Sequence, residues 1–175
     1  MKNSIYLAAG MLLLFFAQAC QDKKGKNYNQ INDGREGIAF IKNGIEGGLM
    51  EIKASGMVIT KSNNHRVISL AKMIIDDHTQ FGDDLEKLKA DKKITEADSI
   101  SPAHQLQLND LEKKKGAEFD KAYLQMIVVD HEGAVKLFTN AAKNPDDKIR
   151  KVAAQSLPTI KMHLDSANAI CISLK

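Results

Sequence analysis

Tryptophan is absent from this chain of 175 residues, and tyrosine and proline occur three times each. Stacking recognition of bases or sugars therefore has little to work with. The only cysteines are Cys20 and Cys171, so no disulfide framework can be drawn. Sustained apolar–polar alternation, the mark of a half-buried strand, is missing. So is any block of like charge: the formal net charge of +3 is spread along the chain and leaves no nucleic-acid footprint. The Glu-x-x-His pair of ferritin-type di-iron centres occurs nowhere, which argues against ferroxidase chemistry. No nucleophile, base and oxyanion set can be assembled either, which weighs against an enzyme.

What is present begins with MKNSIYLAAGMLLLFFAQAC. Lys2 precedes an apolar run from about Ile5 to Ala17, shorter than the ~20 residues of a bilayer span. The pattern fits a signal peptide over residues 1–19. Ala17-Gln18-Ala19-Cys20 resembles a bacterial lipobox, with Ala17 where leucine is usual. The expectation is a lipidated Cys20. The alternative is an ordinary cut after Ala-Gln-Ala, which would leave a free thiol, a liability in an oxidising compartment. Residues 20–34 are polar and read as a flexible tether, and residues 35–175 as one helical domain. Loss of the leader removes one lysine and leaves a net charge of +2. The expected location is the cell envelope, at the outer membrane or facing the periplasm. The lipid anchor would make the membrane a partner, with no nucleic acid involved and no protein partner indicated.

Helical spacing runs through the rest. A first helix, from about Arg35 to Lys61, offers Ile38, Ile41, Ile45, Leu49, Ile52 and Ile59 as its apolar stripe. Beside it lies a face of small residues, Gly44, Gly47, Gly48, Ala54 and Ser55, with Glu51 in their midst. Each mid-helix glycine costs ~1 kcal/mol relative to alanine, so close approach of another helix is expected there. A second helix, Asn63 to about Lys89, carries Val67, Ala71, Ile74, His78, Phe81, Leu85 and Leu88 on one face. A third, Ala117 to Lys143, carries Leu124, Ile127, His131, Ala134, Val135 and Phe138. The last, Asp146 to about Ile172, should break or kink near Leu157, with Ser156 capping a new start before Pro158. Residues 90–116 connect the middle pair and hold a short helix with Ser101 as N-cap and Gly116 as C-cap. The fold class expected is all-α: a ferritin-like four-helix bundle with a short extra helix in the long central connection.

The segment MIIDDH at 73–78 returns as MIVVDH at 126–131. Together with Glu51, EFDKAY at 118–123 and LPTIKMH at 157–163, these segments resemble a family of small bacterial envelope proteins. Its members are described as outer-membrane proteins with a ferritin-like domain of unknown function. The resemblance implies an exported ferritin-like bundle and transfers no activity.

Each long helix brings one polar group to its apolar face: Glu51, His78, His131 and His163. Three imidazoles and a carboxylate suit a divalent transition metal such as zinc, iron or copper, and Asp77 and Asp130 would orient the rings from behind. The bland counterpart is a buried polar network in which Asp77 reaches His131 and Asp130 reaches His78 across a pseudo-two-fold axis. The methionines read as core filler and Cys171 as a small buried hydrophobe, while His65 and His104 read as surface or capping residues. The functional expectation is a non-enzymatic binding or stress-related structural role, with metal handling through the core residues as the alternative.

Overall fold

A computed structural model describes residues 24–174, with side chains from residue 34 onward. The expected signal peptide and Cys20 lie outside the described residues. Five helices follow in order: α1 (Lys24–Lys61), α2 (His65–Asp91), α3 (Pro102–Lys113), α4 (Gly116–Ala141) and α5 (Asp147–Ser173). No strand occurs among the described residues. None of the helices is long and apolar enough to cross a membrane.

Side-chain caps set three of the helix starts. The Asn64 side chain accepts from the Arg66 and Val67 amides, Ser101 from that of His104, and Asp146 from those of Lys148 and Ile149. Short loops make α1–α2 and α4–α5 hairpins; α1 also packs on α4, and α2 on α5. Two apolar clusters give the directions. One holds Val58, Val67, Phe119 and Ile170; the other holds Ile41, Leu88, Phe138 and Ile149. α1 and α5 run from the second cluster to the first, and α2 and α4 run the opposite way. Because α2 and α4 are parallel, the chain between them must travel the length of the bundle. The long connection carrying α3 does so, and Leu108 and Leu111 of α3 close over the first cluster. That is the ferritin-like four-helix arrangement with its extra helix.

The α2 and α4 stripes are buried largely at the expected positions, with Phe81, Ala134 and Val135 half-covered. α1 differs. Its buried face runs through Phe40, Ile41, Ile45, Met50, Ala54 and Val58, while Ile38, Leu49 and Ile59 are exposed. The small-residue face admits side chains of α2: a Cβ at Gly44 would stand 2.8 Å from Leu85 Cδ1. The backbone of α1 is helical from Lys24, upstream of Arg35, and a Cβ on Gly34 would meet open space.

Two expectations about helix ends are not met. α5 runs unbroken through Pro158, and the Ser156 hydroxyl donates back to the Val152 carbonyl instead of capping a new start. Pro158 and Ala154 both lie on the exposed face, where water can satisfy the carbonyl that proline leaves without a donor. Gly116 does not cap α3; it opens α4 with φ of +54°, turning the chain directly from one helix into the next.

Candidate metal centre

Midway between the two apolar clusters, one polar layer crosses the bundle. α1 supplies Glu51, α2 Asp77 and His78, α4 Asp130 and His131, and α5 His163. His131 and His163 are fully buried, and Glu51 and His78 nearly so. The three imidazole rings form an almost equilateral triangle, with centroids 5.4, 5.4 and 5.5 Å apart. Desolvated rings persist in such a layer only if their nitrogens find partners.

Most do, in a directional chain. His163 Nε2 donates to Asp77 Oδ2 at 2.8 Å, which leaves Nδ1 of the neutral ring as an acceptor. That Nδ1 lies 3.3 Å from His131 Nε2, and His131 Nδ1 lies 3.1 Å from the Ile127 carbonyl. A carbonyl only accepts, so with His163 neutral His131 donates from both nitrogens, as an imidazolium does. The energetics agree. Burial pushes His131 down, but the bond to Glu51 and its negative charge outweigh that and raise its pKa above the ordinary value. Burial, with the nearby His78 and His131, pulls His163 down to about 4, against the opposing pull of Asp77.

Glu51 sits behind two of the rings. Its Oε2 is 3.0 Å from His78 Nδ1 and its Oε1 is 3.3 Å from His131 Nδ1. The first is an ion-pair distance without hydrogen-bond alignment, so Oε2 counts among the buried atoms lacking a hydrogen bond. Burial would raise the Glu51 pKa, yet the two imidazoles together hold it at about 2.

His78 Nε2 is also buried without a partner. One nitrogen from each of His78, His131 and His163 can be chosen so that all three lie within 4.8 Å of one another. Two nitrogens on a tetrahedral metal with bonds of ~2.0–2.1 Å stand ~3.3 Å apart, the separation found between His131 Nε2 and His163 Nδ1. A metal there would replace the shared proton. Asp77, Glu51 and the Ile127 carbonyl already face the opposite nitrogens, as carboxylates and carbonyls behind metal-binding histidines do. Glu51 thus faces the Nδ1 atoms of His78 and His131.

The expected cross-pairing of Asp77 with His131 and of Asp130 with His78 does not occur. Asp77 instead reaches His163, on the helix that neighbours its own. Asp130 Oδ2 is buried without a hydrogen bond, and burial, then the charge of Glu51, pushes its pKa up to about 6. His104 is no surface cap: its Nδ1 meets Glu46 Oε1 at 2.9 Å, and that oxygen also accepts from the Ser101 amide, fixing the start of α3 to α1. His65 is exposed, Met50 is core, Met73 and Met162 lie at the surface, and Cys171 is half-buried. Sequence reasoning missed the buried Ser55–Tyr123 hydroxyl pair, 2.8 Å apart. The EFDKAY segment held its only signal, a tyrosine on the core face.

The family model described as "Domain of unknown function (DUF4142)" matches residues 25–170. No curated protein matches. Among solved structures, a DUF305 fragment from Deinococcus radiodurans is similar at a TM-score of 0.70 and 14% identity, covering 78% of this chain and 95% of that one. A DUF305 protein from Streptomyces coelicolor, described as secreted, is similar at 0.68 and 12% identity, covering 79% and 93%. At such identities the likeness is one of fold.

Proposed function

The chain belongs to the DUF4142 family, and we propose that it is a metal-binding helical bundle of the bacterial envelope, holding one divalent transition ion on His78, His131 and His163. The observation that carries this reading is the convergence of three buried imidazole nitrogens from three helices within 4.8 Å. Three neutral nitrogen donors with carboxylates behind them suit zinc, with copper bound more tightly wherever it is supplied. Envelope location and lipidation of Cys20 are part of the proposal. They are supported by the leader-like first nineteen residues and by the secreted description of the Streptomyces neighbour.

The test is zinc titration of chelator-treated protein, followed by dialysis and elemental analysis. One zinc per chain is expected, with protons released on binding, and His78→Ala and His163→Ala should each lose it. Wild-type protein that retains no zinc, or histidine variants that retain it fully, would count against the reading. Labelled palmitate incorporated by the wild type and not by Cys20→Ala tests the anchor; equal incorporation would remove it.

The bond chain Asp77–His163–His131–Ile127 favours a second reading, in which the layer is a structural polar network of a non-enzymatic bundle. Alanine variants would then lose ~1–3 kcal/mol of stability, and metal would make no difference.

A further inference from the structure

Beside the polar layer lies a cavity of about 490 Å³, within the size range of small-molecule pockets. Its walls come mainly from α1, α2 and α4, with Asp98, His104 and Ile160 at their edges, and include the apolar Ile45, Phe81, Leu85, Leu137 and Phe138. Glycines from all three helices line it. A Cβ added at Gly47, Gly82 or Gly133 would meet nothing within 4 Å. Packing within the chain does not account for these three glycines, each of which costs its helix ~1 kcal/mol relative to alanine. What they do is keep the walls thin.

The charged lining is mainly acidic, with the imidazoles of His78 and His104 beside the carboxyl groups. Glu51, Asp83, Glu86, Asp98 and Asp130 contribute carboxyl groups, and among the described residues no lysine or arginine lines the cavity. Lys89, outside the lining, pairs with Asp98 and approaches Glu86. Asp130 has no such partner, and its buried Oδ2 lacks a hydrogen bond. His78 and Glu51 also line the cavity, and their buried Nε2 and Oε2 are likewise without hydrogen bonds. A divalent ion among the histidines would not reverse the sign, because Glu51, Asp77 and Asp130 together carry three carboxylates. Phe81 and Phe138 are the aromatic residues of the lining.

We propose that this glycine-walled cavity binds a small, mainly apolar organic cation of the alkyl- or arylammonium class, its charged end against Asp130 and its body between α1, α2 and α4. The site shares His78 and Glu51 with the polar layer and requires no bound metal.

Calorimetric titration of the purified protein with phenethylammonium, and separately with 3-phenylpropanoate as an anion of similar shape, tests it. Binding of one ammonium per chain is expected, at least about tenfold tighter than the carboxylate, as for a charge-assisted contact. Gly47→Leu and Gly133→Leu fill the cavity from different helices and should abolish binding with helicity unchanged. Should either fail to fold, Gly82→Leu asks the same question from α2. Asp130→Asn should weaken the ammonium at least about tenfold and leave the carboxylate no worse. Equal or tighter binding of the carboxylate, no binding of the ammonium, or folded leucine variants that bind as wild type would overturn the proposal. Zinc content measured on the same samples keeps the two readings apart. Zinc without ammonium sinks this site alone, and ammonium without zinc sinks the metal centre alone.

Discussion

Glu51→Gln removes one negative charge from the centre of the bundle and almost nothing else. The native carboxyl is held at about 2 against an ordinary 4.5, despite burial that pushes the other way. A shift of that size corresponds to about 3 kcal/mol between the charged and neutral forms. The ion pairs with His78 and His131 are the source, and the raised pKa of His131 is the same interaction seen from its partner, so the two are not added. Chelator-treated Glu51→Gln should therefore be about 3 kcal/mol less stable than wild type near pH 6. Because the folded pKa is depressed, this stability is present above pH 4.5 and is lost as pH falls toward 2. On the alkaline side, the His131 contribution is complete below its ordinary 6.5 and fades as pH rises through its raised folded value. The gap between the proteins should thus be widest between about pH 4.5 and 6.5 and should close in both directions. Urea unfolding at a series of pH values, with the slope m compared between the two, measures it. A gap that is missing at pH 6, or as large at pH 2.5 as at pH 6, would refute the assignment of Glu51 as the buried anion of this layer.

Tyr123→Phe should cost ~1–2 kcal/mol in the same assay, since it strands the fully buried Ser55 hydroxyl; the double variant with Ser55→Ala should recover part of that loss. Gly56→Ala should raise the thermal midpoint, by the equivalent of ~0.5–1 kcal/mol, because Gly56 is an exposed mid-helix glycine with open space around its Cβ position. Asp146→Ala removes the cap that serves the Lys148 and Ile149 amides and should lower stability by ~1 kcal/mol, seen as a lower urea midpoint at unchanged m.

Much of the fold was legible because α2, α4 and α5 place large apolar residues and one histidine each at strict three-and-four spacing. α1 misleads for an identifiable reason. Its buried face includes Gly44, Ala54 and Ser55, which admit Leu85 and the Tyr123 hydroxyl, so size and hydropathy pointed toward Ile38, Leu49 and Ile59 instead. Pro158 was overweighted because a sequence does not show which side of a helix meets water. The histidines could be placed on apolar faces, yet their partners could not be chosen. Whether Asp77 turns to His131 or His163 depends on rotamer and helix rotation, and His163 is the ring that helix packing brings beside it. The cavity left a trace in Gly47, Gly82 and Gly133, but a glycine that keeps space open looks in sequence like one that admits a neighbour.

The polar layer also bears on the order in which the molecule assembles. Glu51 and His78 belong to the α1–α2 hairpin, while His131 and His163 belong to the α4–α5 hairpin. Neither hairpin alone can present three imidazoles, so the centre exists only after the two halves have docked and the α3 connection has closed the long loop between them. A metal held there would act late, on the finished bundle. At a free concentration a hundredfold above its dissociation constant it would add ~2.7 kcal/mol against unfolding. That increment would oppose separation of the hairpins and leave their individual helices untouched. Proteolysis or amide exchange should then show metal-dependent protection across all four long helices at once, including segments of α1 and α5 that lie far from any ligand.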